Sequence, residues 1–302
     1  MSDLVILQWN MGIYKKRKVS SVSLGNNIFI KQKAQDILRL NELLKSLIME
    51  HDPCLIVLQE VSDAHVRSIL QKAGYSVSAS KHNLITGWKN SVWGAKAKDA
   101  ISYYRALGIE LTLSTKSGIG RKVLVCNVHL SSQLHGGEIN PEHDLEKVAD
   151  ELKIYRTKSD NVEEIIIGDF NLEPSNYQLQ KETVIHGNRS LDFVAEKENK
   201  RPKKEKYRFL YNPSWRLYGA EVSPHGSHYF SGAKRGGPWY ILDQAFFSSG
   251  LVSAPAKVKM VTEVKCGVTG KDIKLLSKKV SQPDRKKGSD HLPIVWTVTP
   301  KI

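Results

Sequence analysis

A run of three isoleucines followed at once by polar residues sets the strongest constraint on the fold of this chain. Ile165–Ile167 is β-branched and apolar, the pattern of a short strand buried on both faces, and Gly168 supplies a turn at its end. If the backbone stays extended, Asp169 and Asn171 share one face while Phe170 packs on the other. Ligands bind beyond the carboxyl ends of strands in α/β proteins, so this edge is a candidate site. The alternative is that Asp169 caps a helix or forms an Asx-turn.

Several other apolar runs also carry polar residues at their ends. The predicted strands are 4–10, 54–58, 122–130 and 292–298, and the polar residues beside them are Asn10, Glu60, His129 and the pair Asp290 and His291. Between the first two strands, apolar residues recur at helical spacing over 34–50, which predicts a strand, helix, strand unit with parallel strands. The strands are spread over the whole chain with no linker between them. One α/β domain spanning residues 1–302 is therefore expected.

The remaining segments are predicted from their local patterns. Helices are expected at 63–73 and 141–157, a hairpin at 106–113 and 122–130, an irregular excursion at 75–100, and basic loops at 196–208 and 271–287.

One acidic residue lies inside an apolar stretch. Asp243 falls within the predicted strand 239–247, between Leu242 and the apolar residues that follow. A carboxylate is costly to bury unless it is paired, so Asp243 needs a partner, and a histidine would serve.

Charge and cysteine content narrow the class of protein. The 302 residues carry a formal net charge of +14, from 45 Lys and Arg against 31 Asp and Glu, which favours a polyanionic partner. The alternative is a basic, solvated surface. The three cysteines, Cys54, Cys126 and Cys266, lack metal-type spacing. Cys54 and Cys126 lie in apolar runs and are expected to be reduced core residues, which favours a cytoplasmic location. No apolar run reaches the ~18 residues of a membrane span, and the first residues lack the basic start of a signal peptide.

The polar inventory favours one chemistry. Carboxylates and amides with few thiols select a hard cation such as Mg²⁺, Mn²⁺ or Ca²⁺. Histidines beside such an ion stabilise developing negative charge or move protons. Together these groups are typical of metal-assisted phosphoester hydrolysis.

Six motifs in one order extend this interpretation into a resemblance. They are Trp9-Asn10, Leu58-Gln59-Glu60-Val61, Asn127-Val128-His129-Leu130, Gly168-Asp169-Phe170-Asn171, Ile241-Leu242-Asp243-Gln244 and Ser289-Asp290-His291-Leu292-Pro293. Through these motifs and their order, the chain resembles the endonuclease/exonuclease/phosphatase superfamily over residues 9–293. Members of this superfamily have the fold of deoxyribonuclease I. The resemblance implies an α/β fold, a four-layered α/β/β/α sandwich of two mixed sheets packed face to face with helices outside.

The resemblance also implies a metal site and a water-activating edge. Glu60 would be the principal ligand of Mg²⁺ or Mn²⁺, with Asn10 and Asp290 nearby in the metal shell, and no further cofactor is expected. Asp169 would orient or deprotonate the attacking water, and Asn171 would hold a phosphate oxygen.

The imidazoles receive roles by the same resemblance. His291 would contact the scissile phosphate and stabilise the transition state, oriented by Asp243. His129 matches the second histidine of the deoxyribonuclease and sphingomyelinase-like branches, but the sequence identifies no acidic partner for it.

The substrate is predicted from charge and aromatic content. The basic loop 271–287 runs into Asp290, so Lys286 and Lys287 are candidate substrate-binding residues on a nucleic acid, DNA before RNA. Aromatic residues of the irregular segments could stack on bases or could simply pack loops: Trp88, Trp93, Tyr103, Tyr104, Trp215 and Tyr229. One alternative is a phosphatase or phosphodiesterase acting on a small molecule or lipid head group, with no stable membrane association expected. Another is an inactive nucleic-acid-binding module.

Overall fold

The computed structural model describes most of the chain. The described residues are 2–13, 26–61, 63–80, 82–94, 96–114, 120–132, 140–159, 162–202, 207–219, 224–230, 237–277, 282–284 and 286–301, with the backbone alone described for 26–34 and 63.

Two large mixed sheets form the centre of the molecule. In spatial order, the first consists of β14 (Lys257–Met260), β17 (Ile294–Val298), β1 (Leu4–Asn10), β2 (Leu55–Gln59), β4 (Ile85–Lys89) and β3 (Tyr75–Ala79). The second consists of β5 (Lys98–Tyr103), β6 (Ala106–Leu113), β7 (Arg121–His129), β8 (Glu163–Asp169), β13 (Asp243–Phe247), β10 (Leu210–Tyr211) and β9 (Gly187–Asn188).

Helices and two small ribbons complete the fold. The helices are α1 (Asn26–His51), α2 (Asp63–Lys72), α3 (Asn90–Trp93), α4 (Pro141–Lys158), α5 (Tyr177–Gln180), α6 (Leu191–Lys200) and a 3₁₀ helix at Pro213–Leu217. The ribbons pair β11 (His228–Tyr229) with β12 (Trp239–Tyr240), and β15 (Glu263–Lys265) with β16 (Asp272–Lys274). Among the described residues, no helix is long and apolar enough to cross a bilayer.

The alternation of side chains along each strand builds the layers. Ile165 and Ile167 join the core between the two sheets, whereas Ile166 joins the core between the second sheet and α4. On the first sheet, Ile6 faces the inter-sheet core and Leu7 the core under α1 and α2. Each such fully buried side chain contributes about 1.5–3 kcal/mol. The layers are therefore helix, sheet, sheet, helix, as predicted.

The local predictions are largely confirmed. β1 and β2, which precede and follow α1 in the sequence, pair in parallel, and β6 and β7 form the antiparallel hairpin. Cys54 and Cys126 are free and buried.

The predicted irregular excursion at 75–100 is wrong. It contains β3, β4, α3 and the start of β5, and Trp88 and Trp93 are buried in the inter-sheet core rather than available for stacking. Serine, threonine and glycine interrupt the apolar pattern of β3 and β4, which conceals them in the sequence. Similarly, α6 occupies the start of the predicted loop at 196–208 and β16 part of the loop at 271–287.

Buried amides tie the two sheets together near the carboxyl ends of their strands. Gln8 Nε2 of β1 donates to the Gly168 carbonyl of β8 over 2.7 Å, and its Oε1 accepts from Trp296 Nε1 over 3.0 Å. Gln59 Nε2 of β2 donates to Asn127 Oδ1 of β7 over 2.7 Å. Since buried polar groups require partners, these contacts fix the relative position of the sheets where the candidate site lies.

Candidate active site

The predicted site residues converge at one end of the two sheets. β1 and β2 are parallel and end near Asn10 and Glu60, and β7 and β8 are parallel and end at His129 and Asp169. β13 is antiparallel to β8 and begins at this end, so that Asp243 pairs with Asp169. The site therefore lies across the junction of both sheets.

A buried imidazole and carboxylate form the tightest contact of the site. His291 Nδ1 lies 2.8 Å from Asp243 Oδ2, and the Trp9 indole donates to the His291 carbonyl over 3.1 Å. Asp243 is the first residue of β13 rather than an internal one, and its backbone N–H donates to Ser227 Oγ over 3.2 Å. Burial acts to lower the pKa of His291, but the carboxylates of Asp243 and Asp169 outweigh it and raise the pKa to about 10. The imidazole is therefore held as a cation.

Asp169 lies on the other side of that imidazole. Its Oδ2 is 3.7 Å from His291 Nε2 and accepts from Asn10 Nδ2 over 2.9 Å. Its Oδ1 accepts from the backbone N–H of Asn171 over 2.9 Å. Burial, helped by the charge of Asp243, raises the pKa of Asp169 to about 6 against the opposing effect of the His291 charge. Both oxygens are thus held in fixed directions.

The structure supplies the acidic partner that the sequence did not identify for His129. His129 Nε2 lies 3.2 Å from Glu60 Oε1 and 4.0 Å from Asp169 Oδ2. Asn10 Nδ2 lies 3.3 Å from the same Glu60 oxygen, so one amide contacts two carboxylates. Glu60 has a φ of 52°, in the left-handed region that costs energy for residues other than glycine. Strain of this kind concentrates at functional sites.

The loop after β8 departs from the extended backbone that was predicted. Asn171 has a φ of 48°, and its Nδ2 donates to the Leu130 carbonyl over 2.9 Å. Phe170 packs away from the site as predicted, with its ring 5.1 Å from that of Phe246. Gly168 is required because a Cβ there would lie 1.9 Å from the Val128 carbonyl oxygen, at a φ of 152°.

Asp290 and the two candidate lysines lie in the segment before β17. Asp290 Oδ1 accepts from Ser289 Oγ over 3.1 Å, and a Cβ on Gly12 would lie 3.5 Å from the same oxygen. Lys287 forms an ion pair with Asp284 at 3.5 Å, whereas Lys286 is exposed. The backbone N–H of Gly12 in turn donates to Asn10 Oδ1 over 3.1 Å. Asp290 is thus brought towards the metal-site residues, while the lysines remain at the surface.

Two overlapping sets of atoms could hold a metal ion. Asp169, Asp243 and His291 each offer a ligand atom, and these atoms lie within 4.8 Å of one another. Nδ1 of His291 is already hydrogen-bonded to Asp243, however, and hard cations prefer oxygen ligands. The oxygen atoms of Glu60, Asn10 and Asp290, with Asp169 beside them, fit such a cation better.

Sequence reasoning missed three residues that support the His291–Asp243 pair. Gln8 Nε2 lies 3.5 Å from Asp243 Oδ1, and the Ser227 carbonyl accepts from the Leu292 N–H over 2.8 Å. The His228 ring lies 4.6 Å from the His291 ring. The available signal was the polar tetrapeptide 225–228 shortly before the strand of Asp243.

Comparisons with solved structures place this architecture among known folds. Truncated TDP2 from Caenorhabditis elegans matches with 15% identity over 98% of this chain and 97% of its own, at a TM-score of 0.56. TDP2 from D. rerio, complexed with single-strand DNA product, matches with 14% identity over 99% and 100%, at 0.54. An endonuclease/exonuclease/phosphatase family protein from Bacteroides thetaiotaomicron matches with 10% identity over 100% and 99%, at 0.57.

Comparison by sequence gives no assignment. No family model matches the chain, and no curated protein matches it. The likeness to solved structures therefore shows the fold, and the reaction has to be argued from the site.

Proposed function

We propose that this chain, which has the deoxyribonuclease I-like fold of the endonuclease/exonuclease/phosphatase superfamily, is a divalent-metal-dependent phosphodiesterase that hydrolyses nucleic acid. The observation that carries the proposal is the buried His291–Asp243 pair at 2.8 Å, with the Asp169 carboxylate 3.7 Å from the other ring nitrogen. This arrangement sets a cation and a proton acceptor side by side. In-line attack of water on a phosphodiester needs both.

The donor set fits Mg²⁺ or Mn²⁺. The ion would be held by the oxygen atoms of Glu60, Asn10 and Asp290. Gly12 lies between the last two, because its backbone N–H donates to Asn10 Oδ1 and a Cβ on it would lie 3.5 Å from Asp290 Oδ1. When bound, a divalent cation neutralises charge on the phosphate and on the leaving oxygen.

Asp169 is assigned to the attacking water. Hydrogen bonds from Asn10 and from the Asn171 backbone hold the carboxylate, so one of its oxygens can orient the water and accept its proton. The Asn171 amide has two N–H donors, of which one serves the Leu130 carbonyl and the other can hold a phosphate oxygen.

The imidazoles are assigned to the phosphate oxygens. His291, held as a cation by Asp243, donates from Nε2 to a non-bridging oxygen and stabilises the charge of the transition state. His129, 3.2 Å from Glu60, is the second imidazole beside the phosphate.

Charge and aromatic side chains at the rim support nucleic acid as the substrate. The net charge of +14 exceeds what solubility needs. Tyr103 and Tyr104 form an edge-to-face pair at 4.6 Å, Tyr104 is 42% exposed, and Arg105 lies over its ring at 4.9 Å. The backbone carbonyl of Arg105 accepts from the backbone N–H of His129, so the turn that contains Tyr104 and Arg105 lies beside the site. Stacking on such rings is tolerant of base sequence, and a structural neighbour binds a single-strand DNA product. We therefore rank DNA before RNA.

A substrate panel tests the proposal and separates it from the alternatives. With Mg²⁺ or Mn²⁺, the wild type should hydrolyse single-stranded, linear or circular DNA or RNA faster than inositol phosphates, and EDTA should abolish turnover. Preference for inositol phosphates or a lipid head group would identify the small-molecule phosphoesterase. Salt-sensitive nucleic-acid binding without metal-dependent turnover would identify an inactive binding module.

A further inference from the structure

A cavity of about 520 Å³ lies outside the catalytic cluster, at the edge of the second sheet. Its walls come from the end of α5, from β9 and the residues after it, from α6 and from the 3₁₀ helix. The side chains that line it include those of Gln180, Asn188, Arg189, Phe193 and Trp215. The volume is sufficient for one small aromatic ligand with a polar substituent.

The strand register places this cavity beside the last residues of β13, and the strands next to it run towards the catalytic end of the sheet. β10 is antiparallel to β13, and β9 is parallel to β10, so both run towards the end at which β13 begins. Asn188 pairs with Tyr211, which pairs with Phe247. From this register, strand spacing and rise put Arg189 about 17 Å from Asp169 along the sheet. Stacked nucleotides of one strand are ~3.4 Å apart, so about five steps cover that distance.

The loop that carries the catalytic residues continues directly to the cavity. Gln180 Nε2 donates to the Ser175 carbonyl over 3.0 Å, and Ser175 Oγ lies 3.2 Å from the Tyr218 hydroxyl. The Tyr218 ring lies 5.5 Å from that of Trp215. A path of polar and aromatic groups therefore connects the segment after Asn171 with the cavity.

The cavity offers both an aromatic surface and a cation. Trp215 is half-buried, and Phe193 is 39% exposed although it is a large apolar residue. Lys197 Nζ lies over the Phe193 ring, 5.3 Å from its centroid, so a nucleobase would stack on the other face of that ring or on Trp215. Arg189 is exposed at the rim, where its planar guanidinium can pair with phosphate oxygens in two-point contact. The side-chain amides of Gln180 and Asn188 add hydrogen-bonding groups.

We propose that this cavity is an accessory nucleotide subsite, with the base against Trp215 and Phe193 and the phosphate at Arg189. The inference rests on the proposed function, because the nucleotide would belong to the substrate strand at a distance from the scissile phosphate. The subsite adds affinity for long substrates and leaves the chemical step unchanged.

Binding without turnover is the first test. Trp215→Ala, Trp215→Phe and Arg189→Ala are compared with wild type in EDTA, with a free mononucleotide and single-stranded DNA of two to twelve nucleotides as probes. Lys98→Ala is the control, because Lys98 is an exposed residue of β5, the edge strand on the opposite side of the same sheet from β9. Thermal unfolding confirms that each variant is folded.

The expected result is specific to strand length and ring character. Trp215→Ala and Arg189→Ala should raise the Kd for the longest DNA about fivefold to a hundredfold, the range of one base–aromatic stack. Trp215→Phe and Lys98→Ala should stay within about threefold of wild type, since the former keeps a ring to stack on. The free mononucleotide should quench wild-type tryptophan fluorescence more than that of Trp215→Phe.

Turnover distinguishes failure of the subsite from failure of the proposed function. With Mg²⁺, Trp215→Ala and Arg189→Ala should each show a raised KM for long DNA at unchanged kcat. Both should hydrolyse a small generic phosphodiester at the wild-type rate. Unchanged Kd and KM for long DNA in both variants would overturn the subsite while leaving the nuclease proposal intact. If the wild type hydrolyses only the small phosphodiester, the proposal that nucleic acid is the substrate is overturned. Quenching by the free mononucleotide, compared between wild type and Trp215→Phe, then shows whether the cavity binds a nucleotide.

Discussion

The carboxylate of Asp243 and the imidazole of His291 meet at 2.8 Å, although 48 residues separate them in the chain. β13 brings the carboxylate to the end of β8, and the segment before β17 brings the imidazole to it. Each residue explains the burial of the other: an unpaired carboxylate at this depth would be costly, and the imidazole gains a fixed orientation and charge.

Asp243→Asn should lower kcat about a hundredfold or more while leaving the fold intact, because the substitution keeps the shape but removes the charge that holds His291 protonated. Steady-state kinetics measure the loss, and NMR titration of the His291 ring should show a lowered pKa. Asp150→Asn, on the exposed face of α4, serves as the matched control. Wild-type kcat in Asp243→Asn would show that the pair has no part in the reaction.

Glu60→Gln should weaken metal binding about tenfold to a hundredfold or more. The reason is that Glu60 is proposed as the principal oxygen ligand. Calorimetric titration with Mn²⁺ in the absence of substrate measures the affinity, and the dependence of rate on Mg²⁺ concentration measures its effect on turnover. Exposed Glu182→Gln is the control. Equal Mn²⁺ affinity in wild type and Glu60→Gln would remove Glu60 from the metal site.

Glu164 makes stability depend on acid pH. The carboxylate is fully buried, and Arg156 binds both its oxygens at 2.8 and 2.6 Å. Burial acts to raise the pKa of Glu164, but Arg156 and Arg208 outweigh it and lower the pKa below its ordinary value. A lowered folded-state pKa means that the stabilisation is present above the unfolded value of about 4.3 and is lost as the pH falls below it.

Glu164→Gln should therefore cost about 3–5 kcal/mol at pH 7, because it removes the negative charge that is paired with the buried Arg156. The difference from wild type should be smaller at about pH 3, because below the unfolded value of about 4.3 the unfolded wild type takes up a proton that the folded carboxylate resists. Urea unfolding at both pH values measures it. A difference of the same size at both would contradict the assignment.

Gly168→Ala should prevent stable pairing of β7 with β8. The added Cβ would lie 1.9 Å from the Val128 carbonyl oxygen, which is part of the parallel ladder and cannot move aside. Gly74→Ala is the matched control, since Gly74 also has a positive φ, of 85°, but nothing lies within 4 Å of its added Cβ. We expect a loss of about 1–2 kcal/mol for the control and clearly more for Gly168→Ala. Equal unfolding midpoints in urea would show that the close contact is relieved cheaply.

The sequence predicted the elements whose signals are local. Three consecutive isoleucines, Ile165–Ile167, predict a strand with both faces buried, and the structure buries both. Asp243 required a partner because its neighbours in the sequence are apolar. The ordered motifs then indicated the fold that the structural neighbours show.

Contacts between distant elements were not readable in the same way. Glu60 and His129 come from different sheets, and only the packing of those sheets reveals that the two side chains meet. Trp88 is buried by the partner sheet, although the serines and lysines around it favoured a surface segment. The left-handed backbone of Asn171 depends on its contact with Leu130, which the tetrapeptide alone does not contain.

The most direct test of the proposed mechanism is the Mg²⁺-dependent rate at which Asp169→Ala and His291→Ala cleave a labelled single-stranded DNA. His65→Ala, on the exposed face of α2, is the control. The two site variants should bind the DNA but cleave it at least about a hundredfold more slowly than wild type, with His65→Ala unaffected. Cleavage by either site variant within about twofold of wild type would contradict the proposed site.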